Sequence, residues 1–205
     1  MKSAILLPIN NYNKNVIPTI VSLLKPDKPV DLIIITNDSL DDTLKGVVSA
    51  FLKSCCDGGV YTEEQSSEYK LNKKELNGQV VANLIVNNKN ESEMKNFAFN
   101  LFKEYEVFIT ATCNSIYADD YIDKYLAALK DAPVGAAYSD YVENGVPVAL
   151  TSLHALLQSS IAIKDIAFKR RLFKSSPFQM DNYSVIKAAY QNSVIRHIPT
   201  QLFVT

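Results

Sequence analysis

Asp38 closes the run Ile33-Ile34-Ile35-Thr36-Asn37-Asp38, and Ser39, Asp41, Asp42 and Thr43 follow it closely. Three isoleucines in a row suit a strand buried on both faces, and the acidic, hydroxyl-bearing residues after them suit its C-terminal end. Ligands of open α/β sheets sit at the C-terminal ends of parallel strands, so a carboxylate there is well placed for chemistry. The same residues also make an ordinary turn followed by a helix N-cap, and both readings stand at this point. Other polar residues have plainer readings. Asp119 and Asp120 open a helical stretch and favour the positive end of its dipole. His154, among Leu153, Leu156 and Leu157, reads as a packing residue, and His197, between Arg196 and Ile198, reads as part of a final strand. Lys169-Arg170-Arg171 with Lys174 reads most simply as a solvated basic face, and donor phosphates or a polyanionic acceptor are the other partners it suits.

The elements that must position these residues alternate. Ala4 to Leu7 predicts a strand stopped at Pro8, Asn13 to Lys25 a helix with Val16, Ile20, Leu23 and Leu24 on one face, and Val30 to Thr36 a second strand. Leu40 to Cys56 returns to helical spacing and stops at Asp57-Gly58-Gly59. This β-α-β-α opening is the pattern of a parallel sheet. Tyr61 to Gly78 is polar and weakly periodic and reads as a loop or small insertion. Strands are expected over Val80–Val86, Glu106–Ala111, Val134–Tyr138 and Val194–Ile198, with a short one after Gly145-Val146-Pro147. Helices are expected over Glu91–Lys103, Ala118–Lys130 and Met180–Tyr190, and Ser160 to Ile163 reads as extended.

At 205 residues, 47% hydrophobic and 21% charged, the composition fits one sizeable globular domain. A net charge of −1 leaves no electrostatic footprint for nucleic acid or an anionic membrane. Three cysteines, Cys55, Cys56 and Cys113, match neither a zinc spacing nor a disulfide framework, which points to a reducing, cytoplasmic setting. The apolar run before Pro8 is too short for a signal peptide, and Val146 to Ile163 is too polar to cross a bilayer, so no integral membrane segment is expected.

Several segments, in order, resemble the family 2 glycosyltransferases. Pro8-Ile9-Asn10-Asn11 followed by Ser22-Leu23-Leu24 resembles that family's opening turn and helix end. Asn37-Asp38-Ser39-Leu40-Asp41-Asp42 resembles its Asp-Asp-Gly-Ser-x-Asp turn, and Lys95-Asn96-Phe97-Ala98 its Arg-Asn-x-Gly helix start. Gly135-Ala136-Ala137-Tyr138-Ser139-Asp140 resembles its Gly-Ala-Val-Tyr-Ser-Asp strand. Met180-Asp181-Asn182-Tyr183-Ser184 resembles its Glu-Asp-Tyr-Asp-Leu helix, and His197-Ile198-Pro199 its closing His-Ile-Pro. Each match is weak, and six in order are fairly specific.

The resemblance implies a GT-A fold, a three-layer α/β/α sandwich on a mostly parallel mixed sheet, with residues 1–112 as a nucleotide-binding half and 113–205 as an acceptor half. It implies an inverting transfer of a sugar from a nucleotide-sugar donor, a UDP-sugar before others, to the hydroxyl of a glycan, a protein or another molecule, a modified DNA base being the option its charge supports least. In that scheme Asp181 is the general base. Pro8, Asn11, Asp38, Asn96, Thr110 and Thr112 are the donor-binding positions.

The pattern departs at the family's Asp-x-Asp, whose acids hold Mn²⁺ or Mg²⁺ against the diphosphate. Counting from Asn96 and Gly135 puts that position on Thr110-Ala111-Thr112, and two threonines cannot replace two anionic oxygens. A second register, Tyr117-Ala118-Asp119-Asp120, restores acids, so Asp119, Asp120 and His197 are the metal candidates. Met180 also stands where the family has Glu. Three readings follow: transfer without a metal, with Lys164, Arg170 or Arg171 on the diphosphate; a metal held by other residues; or a catalytically inactive nucleotide-sugar-binding or assembly protein.

Overall fold

The isoleucine run forms what its composition requires: β2 (Val30–Asn37) is an interior strand, buried from Val30 through Thr36. A computed structural model describes residues 1–10, 14–24, 28, 30–38, 42–54, 61–76, 78–150, 163–173 and 181–205. β1 (Ser3–Ile9) is buried throughout and pairs in parallel with β2 and with β6 (Val107–Thr110), so that Leu6 lies between Ile33 and Thr110. β5 (Gln79–Val86) extends this parallel set on the far side of β2. Apolar residues at nearly every position of these strands follow from burial on both faces.

Beyond β6 the sheet changes character. β10 (Ile166–Lys169) runs antiparallel between β6 and β8 (Val134–Glu143), and β11 (Val194–Val204) lies parallel to β8. β7 (Ile116–Tyr117) and β9 (Val146–Val148) are short edge partners of β11 and β8. The turn into β9 is Asn144-Gly145, both at positive φ (50° and 78°), the two-residue hairpin geometry that favours this pair.

Helices cover both faces. Phe99 of α3 (Glu91–Leu101) packs on Phe108 and Phe168, and Asn182 at the start of α5 (Asn182–Asn192) reaches Thr110 on that same face. Tyr125 of α4 (Tyr121–Leu129) meets Ser139 on the opposite face. α1 (Val16–Leu23) touches β7 through Ser22, and α2 (Asp42–Ser54) packs near β5. The result is the three-layer α/β/α arrangement with a mixed sheet.

Three expectations about the strands are corrected. Residues 61–76 are not a loop: β3 (Tyr61–Gln65) and β4 (Tyr69–Leu76) form a hairpin that extends the sheet antiparallel to β5. An edge strand exposed on both faces needs no apolar alternation, and here cross-strand polar pairs replace it, with Lys70 on Glu63 at 2.6 Å and Tyr69 on Glu64. The strand expected to end at Tyr138 continues to Glu143. The last strand runs through Pro199, where a register shift between Ile198 and Gln201 accommodates a residue with no N–H to give.

The basic run is a solvated face only in part: Arg171 is exposed and Lys174 lies outside the described residues, but Arg170 turns inward. Arg170 donates to the carbonyls of Phe99, Phe102 and Tyr105, each at 2.7 Å, and its guanidinium lies 4.0 Å from the Phe99 ring centroid. Lys169 donates to Asp131 O at 2.8 Å and Arg171 to Ala132 O. One tripeptide thus satisfies carbonyls at the end of α3 and in the turn leaving α4, where cations complement the helix dipole. Arg170 N also donates to Glu106 O, which puts this cluster at the N-terminal ends of the parallel strands, away from Thr110.

Candidate functional site

Because β1, β2, β5 and β6 are parallel, their C-terminal ends open onto one rim. Asn37, at the end of β2, accepts from Asn88 N at 2.8 Å and donates to Lys89 O at 2.8 Å, tying itself to the loop after β5. Asp38 is exposed; its N–H donates to Val86 O and its Oδ1 accepts from Asn88 N at 3.1 Å. Pro8 is buried within β1, and Asn10, just past it, donates to Glu91 Oε2 at 3.3 Å. Asn11 lies outside the described residues. Asn90 caps α3 through a reciprocal bond pair with Glu93, and Asn96 sits half-buried in the second turn. Beside it Lys95, 7% exposed, pairs with Glu91 Oε1 at 2.7 Å.

At the end of β6 the two threonines face an acid that sequence reasoning missed. Thr110 Oγ1 accepts from Ile166 N at 2.9 Å and lies 3.2 Å from Ile166 O. Thr112 Oγ1 donates to Asp165 Oδ1 at 2.7 Å. Asp165 is 1% exposed, and Tyr121 and Tyr125 of α4 close over it. Burial pushes its carboxyl up from an ordinary 3.8 to about 7, against the hydrogen bond from Thr112 and the charge of Lys95, which act downward. The available signal was a lone acid between two apolar pairs, Ala162-Ile163 and Ile166-Ala167. Cys113, which follows Thr112 in the chain, is a half-buried free thiol whose pKa burial pushes up to about 11.

The residues expected on the acceptor side lie at the ends of β8 and β11 and the start of α5. Asp181 is the N-cap of α5: Oδ1 accepts from Ser184 N and Oδ2 from Ser184 Oγ, both at 2.8 Å. Asn182 donates to Ile163 O and Lys164 O at 2.5 and 2.7 Å and lies 3.5 Å from Thr110 Oγ1, linking the start of α5 to the threonines. His197 Nε2 is 2.7 Å from Asp140 Oδ1, with its ring stacked on Tyr138, and Asp140 also accepts from Leu150 N. His154, Lys174 and Met180 lie outside the described residues.

These residues do not fit a hard divalent ion. Both threonine hydroxyls are neutral and engaged internally, and the acid that touches Thr112 is buried and held toward its protonated form. His197 points one ring nitrogen at Asp140, while Asp119 and Asp120 stand exposed before α4, Asp120 paired with Lys124 at 2.8 Å. Among the described residues no three His, Cys, Asp or Glu side chains gather to hold a metal. Among them, too, no helix is long and apolar enough to cross a membrane.

No protein-family model matches this sequence, and no curated protein matches it. Solved structures do match in fold. S. aureus TarS 1-349 in complex with UDP-GlcNAc superposes with a TM-score of 0.68 at 16% identity, covering 100% of this chain and 58% of that one. The same protein in complex with UDP gives 0.66 at 15%, covering 100% and 60%. This chain therefore spans less than two thirds of those it matches. Over its whole length it carries the fold of the TarS structures, the GT-A fold that its sequence resemblance implied.

Proposed function

We propose that this chain is a nucleotide-sugar-dependent glycosyltransferase that takes a UDP-sugar and transfers the sugar with inversion to an acceptor hydroxyl. The observation that carries this reading is the whole-length fold likeness to a protein solved with UDP-GlcNAc and with UDP. The rim of Asn10, Asn37, Asp38 and Glu91 at the strand ends supports it. In this reading residues 1–112 hold the nucleotide and 113–205 the acceptor. Asp38 accepts an N–H of the base ring, with Pro8, Asn11 and Asn96 around the nucleotide and Thr110 and Thr112 below the diphosphate.

Asp181 takes the acceptor's proton as the acceptor oxygen bonds to the anomeric carbon; the bond from that carbon to the diphosphate breaks, and UDP leaves with its electron pair. The Ser184 contacts fix the Asp181 carboxylate in place and leave lone pairs on both oxygens for the proton. No step here is routed through a metal. The setting is a reducing, cytoplasmic one in this reading, which three cysteines with neither a zinc spacing nor a disulfide framework suit. The acceptor is a glycan, a protein or another hydroxyl-bearing molecule.

The test is transfer, or slow donor hydrolysis, with a panel of UDP-, GDP- and dTDP-sugars. Asp181→Asn is expected to lose about 100-fold or more in rate while still binding UDP. Undiminished turnover in that variant removes Asp181 from the base role. A second reading, a nucleotide-sugar-binding protein without turnover, is favoured by the internally engaged threonines. Binding of UDP with no turnover under any metal supports it, and turnover of any donor refutes it.

A further inference from the structure

We propose that the Lys95 ammonium meets the donor's diphosphate in this chain, supplying the positive charge that a divalent cation supplies where the Asp-x-Asp acids are present; this rests on the nucleotide-sugar reading above. The cations suggested by sequence are otherwise engaged. Arg170 and Arg171 hold carbonyls at the opposite end of the sheet. Lys164 sits on Glu143 at 2.5 Å, within reach of Thr205 Oγ1 at 3.2 Å. Lys89, by the same rim, stands farther out in solvent than Lys95.

Lys95 has the placement these lack. It lies in the second turn of α3, and helical side chains lean toward the N-terminus, so its stem carries the ammonium back to the rim beside Glu91. Glu91 Oε2 also accepts from Asn10, just past β1, and Ala111 N at the end of β6 donates to Leu6 O of β1, so the pair is tied to the rim where β1 and β6 end side by side. The ion pair therefore sits by the end of β6, where the family's metal-binding acids fall.

The pair is also asymmetric. Lys95 is 7% exposed and Glu91 is 51% exposed, so the carboxylate can turn out into water while the ammonium stays in place. An ammonium offers three N–H groups, more than one carboxylate oxygen can take, and a diphosphate brings several acceptor oxygens. The charges agree. Two carboxylates and one divalent ion sum to zero, and two threonines with the Lys95–Glu91 pair sum to zero as well, turning positive when the Glu91 carboxylate swings out into water. Retaining the acids without the metal would repel a diphosphate, and this chain carries threonines at both positions.

The test is calorimetric binding of uridine and UDP in the presence of EDTA, with wild type, Lys95→Met, Lys95→Arg and Glu91→Gln. Wild type is expected to bind UDP without metal, and Lys95→Met to weaken UDP about 10- to 100-fold while leaving uridine unchanged. Lys95→Arg is expected to keep UDP affinity within a few-fold, and Glu91→Gln, which releases the ammonium, to tighten it. A purely structural lysine would not give that opposite sign, which keeps the proposal testable if Lys95→Met folds poorly. UDP binding by wild type that vanishes in EDTA, a Lys95→Met that binds UDP as wild type does, or a Glu91→Gln that binds it no tighter overturns the proposal. If neither uridine nor UDP binds wild type at all, the nucleotide-sugar reading itself fails and takes this proposal with it.

Discussion

Replacing Asp165 with asparagine is expected to remove a large part of the pH dependence of stability between about pH 4 and about pH 7. The proton count around it favours a neutral acid. Tyr121 has one hydroxyl proton and two acceptors within reach, Thr110 O at 3.1 Å and Asp165 Oδ2 at 3.4 Å. A protonated Asp165 can donate to the Tyr121 oxygen and leave that proton for Thr110 O. Tyr125, Thr112 and the nearby Tyr117 contribute dipoles, and Lys95 is the cation whose charge reaches the carboxyl. The folded value, about 7, lies above the ordinary 3.8. Between the two the folded chain keeps a proton that the unfolded chain has released. The neutral acid's contribution is therefore complete below the lower value and is lost as pH rises through the upper one. Roughly three units at 1.36 kcal/mol each amount to about 4 kcal/mol. Urea denaturation of wild type and Asp165→Asn from about pH 5 to about pH 8 measures this, because other titrations cancel in the difference. That difference is expected to move against wild type by about 1.4 kcal/mol per unit up to about pH 7 and then level off. A difference constant within about 0.5 kcal/mol over the series would refute the assignment of a buried neutral acid.

Arg170→Met is expected to cost roughly 3 kcal/mol or more in denaturant unfolding, since three carbonyls lose a charged donor at once, and Arg170→Lys to recover less than half of it, lacking the planar fork. Gly135→Ala is expected to lower stability by about 1–3 kcal/mol, because the added Cβ would overlap the Ser193 side chain and Leu172; an unchanged melting temperature contradicts that packing. Asp181→Ala is expected to cost about 1 kcal/mol through the lost N-cap and Asp181→Asn much less, so a rate loss shared by both and a stability loss confined to alanine separates chemistry from capping.

Legibility in the sequence followed burial. The strand of Ile33 to Ile35, the helix beginning at Glu91 and the turn at Gly145 each carry one dominant local signal, and each stands where that signal put it. The β3–β4 hairpin was illegible because a solvated edge strand is held by cross-strand pairs such as Lys70 with Glu63, which leave no mark on a linear pattern. β10 is four residues long and is a strand only because β6 and β8 flank it. The residue just before it, Asp165, went unseen for the same reason: what makes an aspartate unusual is the tyrosines folded over it, and these come from α4, far away in sequence. The inward turn of Arg170 was illegible because its acceptors are backbone carbonyls, which no side-chain pattern announces.

The position of β10 has a consequence for how the chain folds. β6 and β8 meet only through it, and it pairs antiparallel with two strands that both precede it in sequence. Strands β1, β2, β5 and β6 all precede it and can pair without it, β6 reaching back from Val107 to Ser3, but the sheet becomes continuous only when residues 166–169 join β6 to β8. The cations that follow immediately then lock onto α3 and the turn after α4, so the closing strand arrives with its own clasp. Substitutions in that clasp should speed unfolding more than they slow folding, the signature of contacts made after the rate-limiting barrier.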